Sequence, residues 1–158
     1  MVTNLHDRFR GCLLGLAVGD ALGARFEARS PQSIRRLYSS IHEVIDEQVE
    51  KPYSEIWYTD DTQMAIGIAE TLADNGRIRE QELCAAFANN YEPDRGYGRG
   101  ARAVLHAMQQ GLPHRAVAAS YFPGGSYGNG AAMRVTPLGI FFRDDEARLF
   151  AEAELSAQ

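Results

Sequence analysis

The run Tyr58-Thr59-Asp60-Asp61-Thr62 sets one hydroxyl and two adjacent carboxylates at the start of a segment that reads as a helix from Gln63 to Ala73. All three groups are oxygen donors, a set suited to magnesium or manganese and not to a soft-ligand metal. The same residues also have a purely structural use. Thr59 is a good N-cap, because its hydroxyl can accept a backbone N–H that the first turn leaves unpaired. Two carboxylates in that first turn are favoured by the positive end of the helix dipole. The stretch alone does not choose between the two uses.

Two glycine-rich stretches carry further chemistry. Residues 93–100 (PDRGYGRG) lead into a predicted helix over 101–110, and residues 123–130 (PGGSYGNG) open one at Ala131. Free backbone N–H groups at a helix start form a ready anion site. Neither stretch continues into Gly-Lys-Ser/Thr, and neither follows a strand, so the common nucleotide-binding loops are excluded. Tyr97, Tyr127 and either Tyr121 or Phe122 offer ring faces for a nucleobase. Ser126 and Asn129 could bond sugar or phosphate oxygens, and the flanking Arg95, Arg99 and Arg134 could meet a diphosphate. As plain connectors, the same stretches need only the turn preferences of glycine and proline.

The elements that must hold these residues read as helices throughout. Leu5 to about Leu22 carries glycines at 11, 15, 19 and 23, one stripe of a helix. Each glycine costs about 0.5–1 kcal/mol relative to alanine. The stripe therefore predicts another backbone packed closely against it. Leu13, Leu14, Leu16 and Val18 cover other faces, so this helix is expected to be buried nearly all round. Asp20 within it needs a partner or an ion, and Glu27 falls on the loop that follows. Ser30-Pro31 starts a short helix reaching Leu37, and the acidic stretch from Glu43 to Glu55 reads as a solvated loop with a turn at Lys51-Pro52. Met64, Ile68 and Leu72 stripe the helix after Asp61, which Asn75-Gly76 stops. Further helices are expected over 80–91, with Leu83 and Phe87 inward, over 114–120, and over 144–156. Pro137 should break or kink the helix opened at Ala131. No four-residue β-alternation occurs, and the fold class is all-α, one domain over 158 residues.

A formal charge of −5, with Lys51 the only lysine and the arginines scattered, argues against nucleic acid as partner. The uncharged run Gly11–Gly19 is far short of the roughly 20 residues a membrane span needs, and no small-residue cleavage site follows it. A cytoplasmic protein without a membrane partner is expected. Cys12 and Cys84 fit reduced core thiols, and the four histidines show no zinc spacing.

Taken in order, Gly11-Cys12-Leu13-Leu14-Gly15 through Gly19-Asp20, Glu27, Tyr58–Thr62, Asp94–Gly98 and Gly125–Arg134 resemble the ADP-ribosylglycohydrolase family. The likeness is nearest to the branch acting on ADP-ribosyl-serine, poly(ADP-ribose) and O-acetyl-ADP-ribose. The resemblance implies a helical bundle around two magnesium ions, with manganese in some members. It implies Thr59, Asp60, Asp61 and Glu27 as metal ligands, and Glu27, Asp60 and Asp61 as the catalytic carboxylates, with Glu27 on a mobile flap. It implies that Gly98, Gly125, Ser126, Tyr127, Gly128 and Asn129 hold the substrate, with Tyr121 or Phe122 stacking on adenine.

The chain also departs from the family pattern. The second acidic motif, of the Asp-Thr-Asp-Thr type, has no counterpart in residues 135–158, where Asp144-Asp145-Glu146 has the wrong context. The chain thus resembles the N-terminal part of the family domain, truncated, with a second chain as one possible source of the rest. Three readings follow. The chain is a metal-dependent hydrolase of ADP-ribosyl linkages, a non-catalytic module that binds ADP-ribose or a partner, or a helical fragment awaiting another subunit.

Overall fold

A computed structural model describes residues 4–50 and 57–158. Among these residues the secondary structure is helical, with no strand. The helices are α1 (Leu5–Gly23), α2 (Pro31–Leu37), α3 (Ile41–Glu50), α4 (Asp60–Asn75) and α5 (Glu80–Asn90). They continue with α6 (Arg99–Gln109), α7 (His114–Tyr121), α8 (Thr136–Phe141) and α9 (Glu146–Ala157).

The core forms around α4. Its Met64, Ile68 and Leu72 recur at helical spacing and pack with Leu83 and Phe87 of α5, Leu105 of α6, and Leu138 of α8. Ile68, Leu72 and Leu138 are fully buried, each contributing roughly 2 kcal/mol of transfer free energy. Gly76 ends α4 in the left-handed conformation (φ 66°) that glycine adopts without strain. Glu152 of α9 fastens the turn after α4, accepting the Ile78 N–H at 2.6 Å, while Arg148 donates to the Gly76 carbonyl at 2.8 Å.

Gly67 is where α5 comes closest to α4. A Cβ there would lie 2.8 Å from the Phe87 ring. Alanine's helix preference returns only about 1 kcal/mol, while overpacking costs about 1–3 kcal/mol. Gly67→Val, adding two further methyls with no helix gain of that size, should therefore lower the unfolding free energy by about 2 kcal/mol in urea titration.

Three expectations change. The acidic stretch after Ser40 is helical as far as Glu50, not a loop. Ile41, Val44 and Ile45 make an apolar face with Val44 buried, and Glu43 accepts the Ser39 N–H at 2.8 Å, so both signals for a helix start were present. The turn at Lys51-Pro52 lies outside the described residues. Pro137 does not break a helix; it sits in the first turn of α8, where its missing N–H is not required. Residues from Gly128 to Arg134 form turns, so the second glycine-rich stretch does not end directly on a helix.

The largest change concerns α1. None of its residues is buried, and a Cβ built at Gly11, Gly15, Gly19 or Gly23 meets nothing within 4 Å. Cys12 is exposed, not a core thiol, while Cys84 is half-buried beside His114. One face of α1 does pack, against α4 and α8.

Candidate functional site

The site is built where α1 meets the start of α4, through Asp20. Its Oδ1 accepts from the Thr59 hydroxyl at 2.6 Å. Its Oδ2 accepts from the Thr62 hydroxyl at 2.6 Å, the Thr59 N–H at 2.8 Å and the Thr62 N–H at 3.1 Å. One carboxylate thus satisfies two backbone donors and two hydroxyls at a helix N-terminus, where its charge is also favoured. The partner that a carboxylate in α1 required is the first turn of α4.

Thr59 caps α4 as its sequence predicts, accepting the Asp61 N–H at 3.4 Å. Its hydroxyl proton is committed to Asp20, so the oxygen keeps lone pairs for an acceptor role. The first glycine-rich stretch closes over this turn. The Asp60 N–H donates to the Arg95 carbonyl at 2.7 Å. At Gly96 (φ 89°) a Cβ would stand 3.5 Å from Asp60 Oδ1, so glycine serves both the backbone conformation and the close approach. Tyr97 is buried behind it and donates to Gln63 Oε1 at 2.7 Å.

Asp60 and Asp61 are half-buried with Asp20 and Glu27 in electrostatic reach. Burial first, then the neighbouring Asp61, and then Glu27 and Asp20 push the Asp60 carboxyl up to about 6. Burial, Asp20 and Glu27 raise Asp61 as well. Glu27 itself is exposed and follows the 3-10 turn Ala24–Phe26 on extended backbone. The next residue, Ala28, takes the left-handed conformation (φ 58°), uncommon for a residue with a Cβ.

A group whose folded pKa is raised favours folding below its unfolded value, near 4, and loses that contribution as pH climbs through about 6. Discounted for partial exposure, Asp60 should make the cation-free chain about 1 kcal/mol more stable at pH 4 than at pH 7. Melting curves across that range should show the slope, and Asp60→Asn should flatten it.

The second glycine-rich stretch is placed through Phe122. Its ring lies over Gly100 in the first turn of α6, where a Cβ would stand 2.1 Å away. Tyr121 and Phe122 are tilted rings 6.4 Å apart and half-exposed. Gly98 precedes α6 as its N-cap. Gly124 and Gly125 take positive φ, Ser126 Oγ accepts the Gly128 N–H at 3.1 Å, and Tyr127 is fully exposed. Phe122, the residue before the second stretch, thus reaches the last residue of the first. Among the described residues no hydrogen bond joins the Ser126–Asn129 side chains to the aspartates.

Two of the three flanking arginines have other work. Arg95 stacks on Tyr58 with Cζ 4.1 Å from the ring centre, and pairs with Glu92. Arg134 turns into the core, donating to the Ser156 carbonyl at 2.5 Å and lying over Phe87. Burial lowers it to about 10. Arg99 is exposed at the start of α6. Asp145 is not an acidic metal motif but the cap of α9, accepting the Arg148 N–H.

The donors at the site are all oxygens, and burial followed by neighbouring carboxylates has raised two of the carboxyls, so their chemistry fits a hard divalent cation. Their number falls short. Among the described residues no group of three or more His, Cys, Asp or Glu side chains is arranged to hold a metal ion.

The described residues form an all-helical fold with two aspartates beside a glycine-rich loop. The ADP-ribosylglycohydrolase family model matches residues 1–158, and the chain belongs to that family. Over 162 residues it is 34% identical to mouse ADP-ribosylhydrolase ARH3, covering 96% of this chain and 43% of the mouse protein. Human ADP-ribosylhydrolase ARH3 matches at 34% identity over 96% of this chain and 44% of its own length. The ADP-ribosyl-[dinitrogen reductase] glycohydrolase of Rhodospirillum rubrum is 33% identical over 87% of this chain and 45% of its own. The chain spans less than half the length of these relatives.

Proposed function

We propose that this chain carries the cation-binding half of a hydrolase that cleaves the glycosidic bond between ADP-ribose and a protein side chain, a polymer or an acetyl ester. The observation behind this reading is the pair Asp60 and Asp61 beside a glycine-rich loop, both carboxyls raised first by burial and then by neighbouring carboxylates, Glu27 and Asp20 among them. Thr59, Asp60, Asp61 and Glu27 would hold the cation, magnesium or manganese. When bound, it supplies Lewis-acid polarisation of the ribose hydroxyls and of water.

The chain's own residues do the rest. Asp20 holds the Thr59–Thr62 turn that carries Asp60 and Asp61. Gly96 and the Arg95 carbonyl keep that turn covered on one side. Glu27, exposed at the rim, or one of the aspartates moves the proton as the anomeric bond breaks. The developing charge on the ribose is oxocarbenium-like, as in other glycoside cleavages. Gly98 and the stretch Gly125–Asn129 are suited to the diphosphate and ribose, and Tyr121 or Phe122 to the adenine ring.

Titration with ADP-ribose tests this. Binding should tighten at least tenfold on adding magnesium. The shortfall in metal-capable groups favours a second reading, a module that binds ADP-ribose without catalysis. Affinity indifferent to magnesium would support that module and defeat the hydrolase.

A further inference from the structure

We propose that the pocket between α4 and the end of α5 is a subsite for polypeptide, which holds the residues flanking an ADP-ribosylated side chain. Of the protein, polymer and ester linkages, this selects protein. The ADP-ribosyl group on that polypeptide rests on the hydrolase reading; the fit of the pocket to a peptide group does not.

The pocket encloses about 250 Å3 and is lined by Tyr58, Gln63, Ile66, Asn89, Asn90 and Glu92. It lies against the turn that carries the carboxylate pair. Tyr58 directly precedes Thr59, and Gln63 stands one helical turn beyond Asp60, about 4.5 Å along the axis of α4. Each residue of an extended peptide advances about 3.4 Å, so a neighbour one or two positions from the modified residue spans that distance.

Gln63 gives the pocket its chemistry. It is 3% exposed, and its Oε1 accepts from the Tyr97 hydroxyl at 2.7 Å and from the Glu92 N–H at 3.1 Å. A backbone N–H can only donate, so these bonds fix which end of the amide is oxygen and leave its NH2 group facing elsewhere. Among the described residues no acceptor meets that NH2 group, and it is not sealed in the core as the unpartnered Arg134 Nε is. Its outlet is the pocket that Gln63 lines. An almost buried donor without a partner costs about 1–3 kcal/mol, which a carbonyl brought by a ligand would recover.

Asn90 offers the complementary group. Its Nδ2 donates to Glu70 at 2.7 Å, which leaves Oδ1 to accept an N–H. One carboxamide donor and one carboxamide acceptor in the same pocket match the two ends of a peptide group, while Ile66 and the Tyr58 ring give a side chain apolar surface. The other linkages fit worse. The next unit of a polymer carries a diphosphate, and the lining offers the Glu92 carboxylate with no lysine or arginine among the described residues. The adjacent Arg95 is taken up by Glu92 and Tyr58. A pocket of this volume is also below the roughly 300 Å3 at which sites for drug-sized ligands begin, so it excludes a second nucleotide. An acetyl ester ends too soon to use it.

The probe for the test is a short alanine–glycine peptide carrying ADP-ribose on a serine, with CH2 in place of the glycosidic oxygen so that it is not cleaved. In titration calorimetry with magnesium it should bind this chain roughly tenfold tighter than ADP-ribose does, the equivalent of one or two net hydrogen bonds. In NMR spectra the side-chain amide signals of Gln63 and Asn90 should shift with the conjugate and with about millimolar unmodified peptide, and stay in place with ADP-ribose alone. Asn89→Ala with Asn90→Ala, at a helix end where alanine favours the fold, should remove most of the advantage and keep the affinity for ADP-ribose. A dimer of ADP-ribose should gain nothing over the monomer. Equal affinities of conjugate and ADP-ribose, amide signals that ignore the peptide, an advantage that survives the double variant, or a gain for the dimer would each overturn the proposal. Affinity for ADP-ribose that ignores magnesium, with the Gln63 signal still moved by unmodified peptide, fails the hydrolase reading alone.

Discussion

Asp20→Ala should lower the unfolding free energy by about 3 kcal/mol and disorder the turn that carries Asp60 and Asp61. Asp20 accepts four hydrogen bonds from Thr59 and Thr62, two of them from backbone N–H groups. A hydrogen bond to a charged acceptor contributes about 1.5–3 kcal/mol, and removing the acceptor leaves half-buried donors unpaired. Four such bonds on one group are not additive, which is why the total is set near that of one or two. An opposing effect exists, because Asp20 also repels Asp60 and Asp61. That repulsion acts through space, is screened, and amounts to less than about 1 kcal/mol. The hydrogen bonds win. Asp20→Asn can keep its accepting oxygen at the Oδ2 position, facing both backbone donors and the Thr62 hydroxyl, and turn its amide N–H toward the Thr59 hydroxyl, which can rotate to accept it, so at most about half the loss is expected. Urea melts give the energies, and hydrogen exchange at Thr59, Asp61 and Thr62 locates them. A loss below about 0.5 kcal/mol in Asp20→Ala would remove Asp20 from its bridging role.

The line from Thr59 to Gly76 was readable because its signals are local. An N-cap threonine, two first-turn aspartates, an apolar stripe at Met64, Ile68 and Leu72, and a glycine stop all act within α4. The same holds for Ser30-Pro31 at α2. Readings that depended on a distant partner fared differently. The unusual position of Asp20 was visible, but not that its partner lay 39 residues on. The glycine stripe of α1 predicted a neighbour that these residues do not supply. Arg134 sat beside a glycine-rich loop in sequence, yet the turns after Asn129 swing it against Phe87 and the end of α9. α3 was missed because its many acidic residues outweighed the helical spacing of Ile41, Val44 and Ile45. That Asp60 and Asp61 feel Asp20 and Glu27 is a property of three-dimensional placement, which residue types alone do not carry.

Asp60→Asn should move stability and activity in opposite directions. On the proposed function it should cut hydrolysis of an ADP-ribosylated peptide by at least roughly 100-fold, the scale of losing one positioned proton-transfer or charge-stabilising group. In the isolated chain at pH 7 it should instead raise the unfolding free energy by about 1 kcal/mol. The sign follows from the environment. A carboxyl pushed up to about 6 is one whose charge the fold disfavours, chiefly through burial and the adjacent Asp61. An uncharged amide of the same shape escapes both penalties and can still lie against Gly96. The gain should vanish below about pH 4, where the aspartate is protonated in both folded and unfolded chains. A purely structural first-turn aspartate would behave the other way, because its charge would favour the helix dipole and asparagine would destabilise. Thermal melts at pH 4 and pH 7, paired with turnover, separate the two. Stability lost at pH 7 with turnover unchanged would return Asp60 to the role of a helix-start residue. Stability gained with turnover lost is the pattern of a cluster retained for chemistry at the fold's expense.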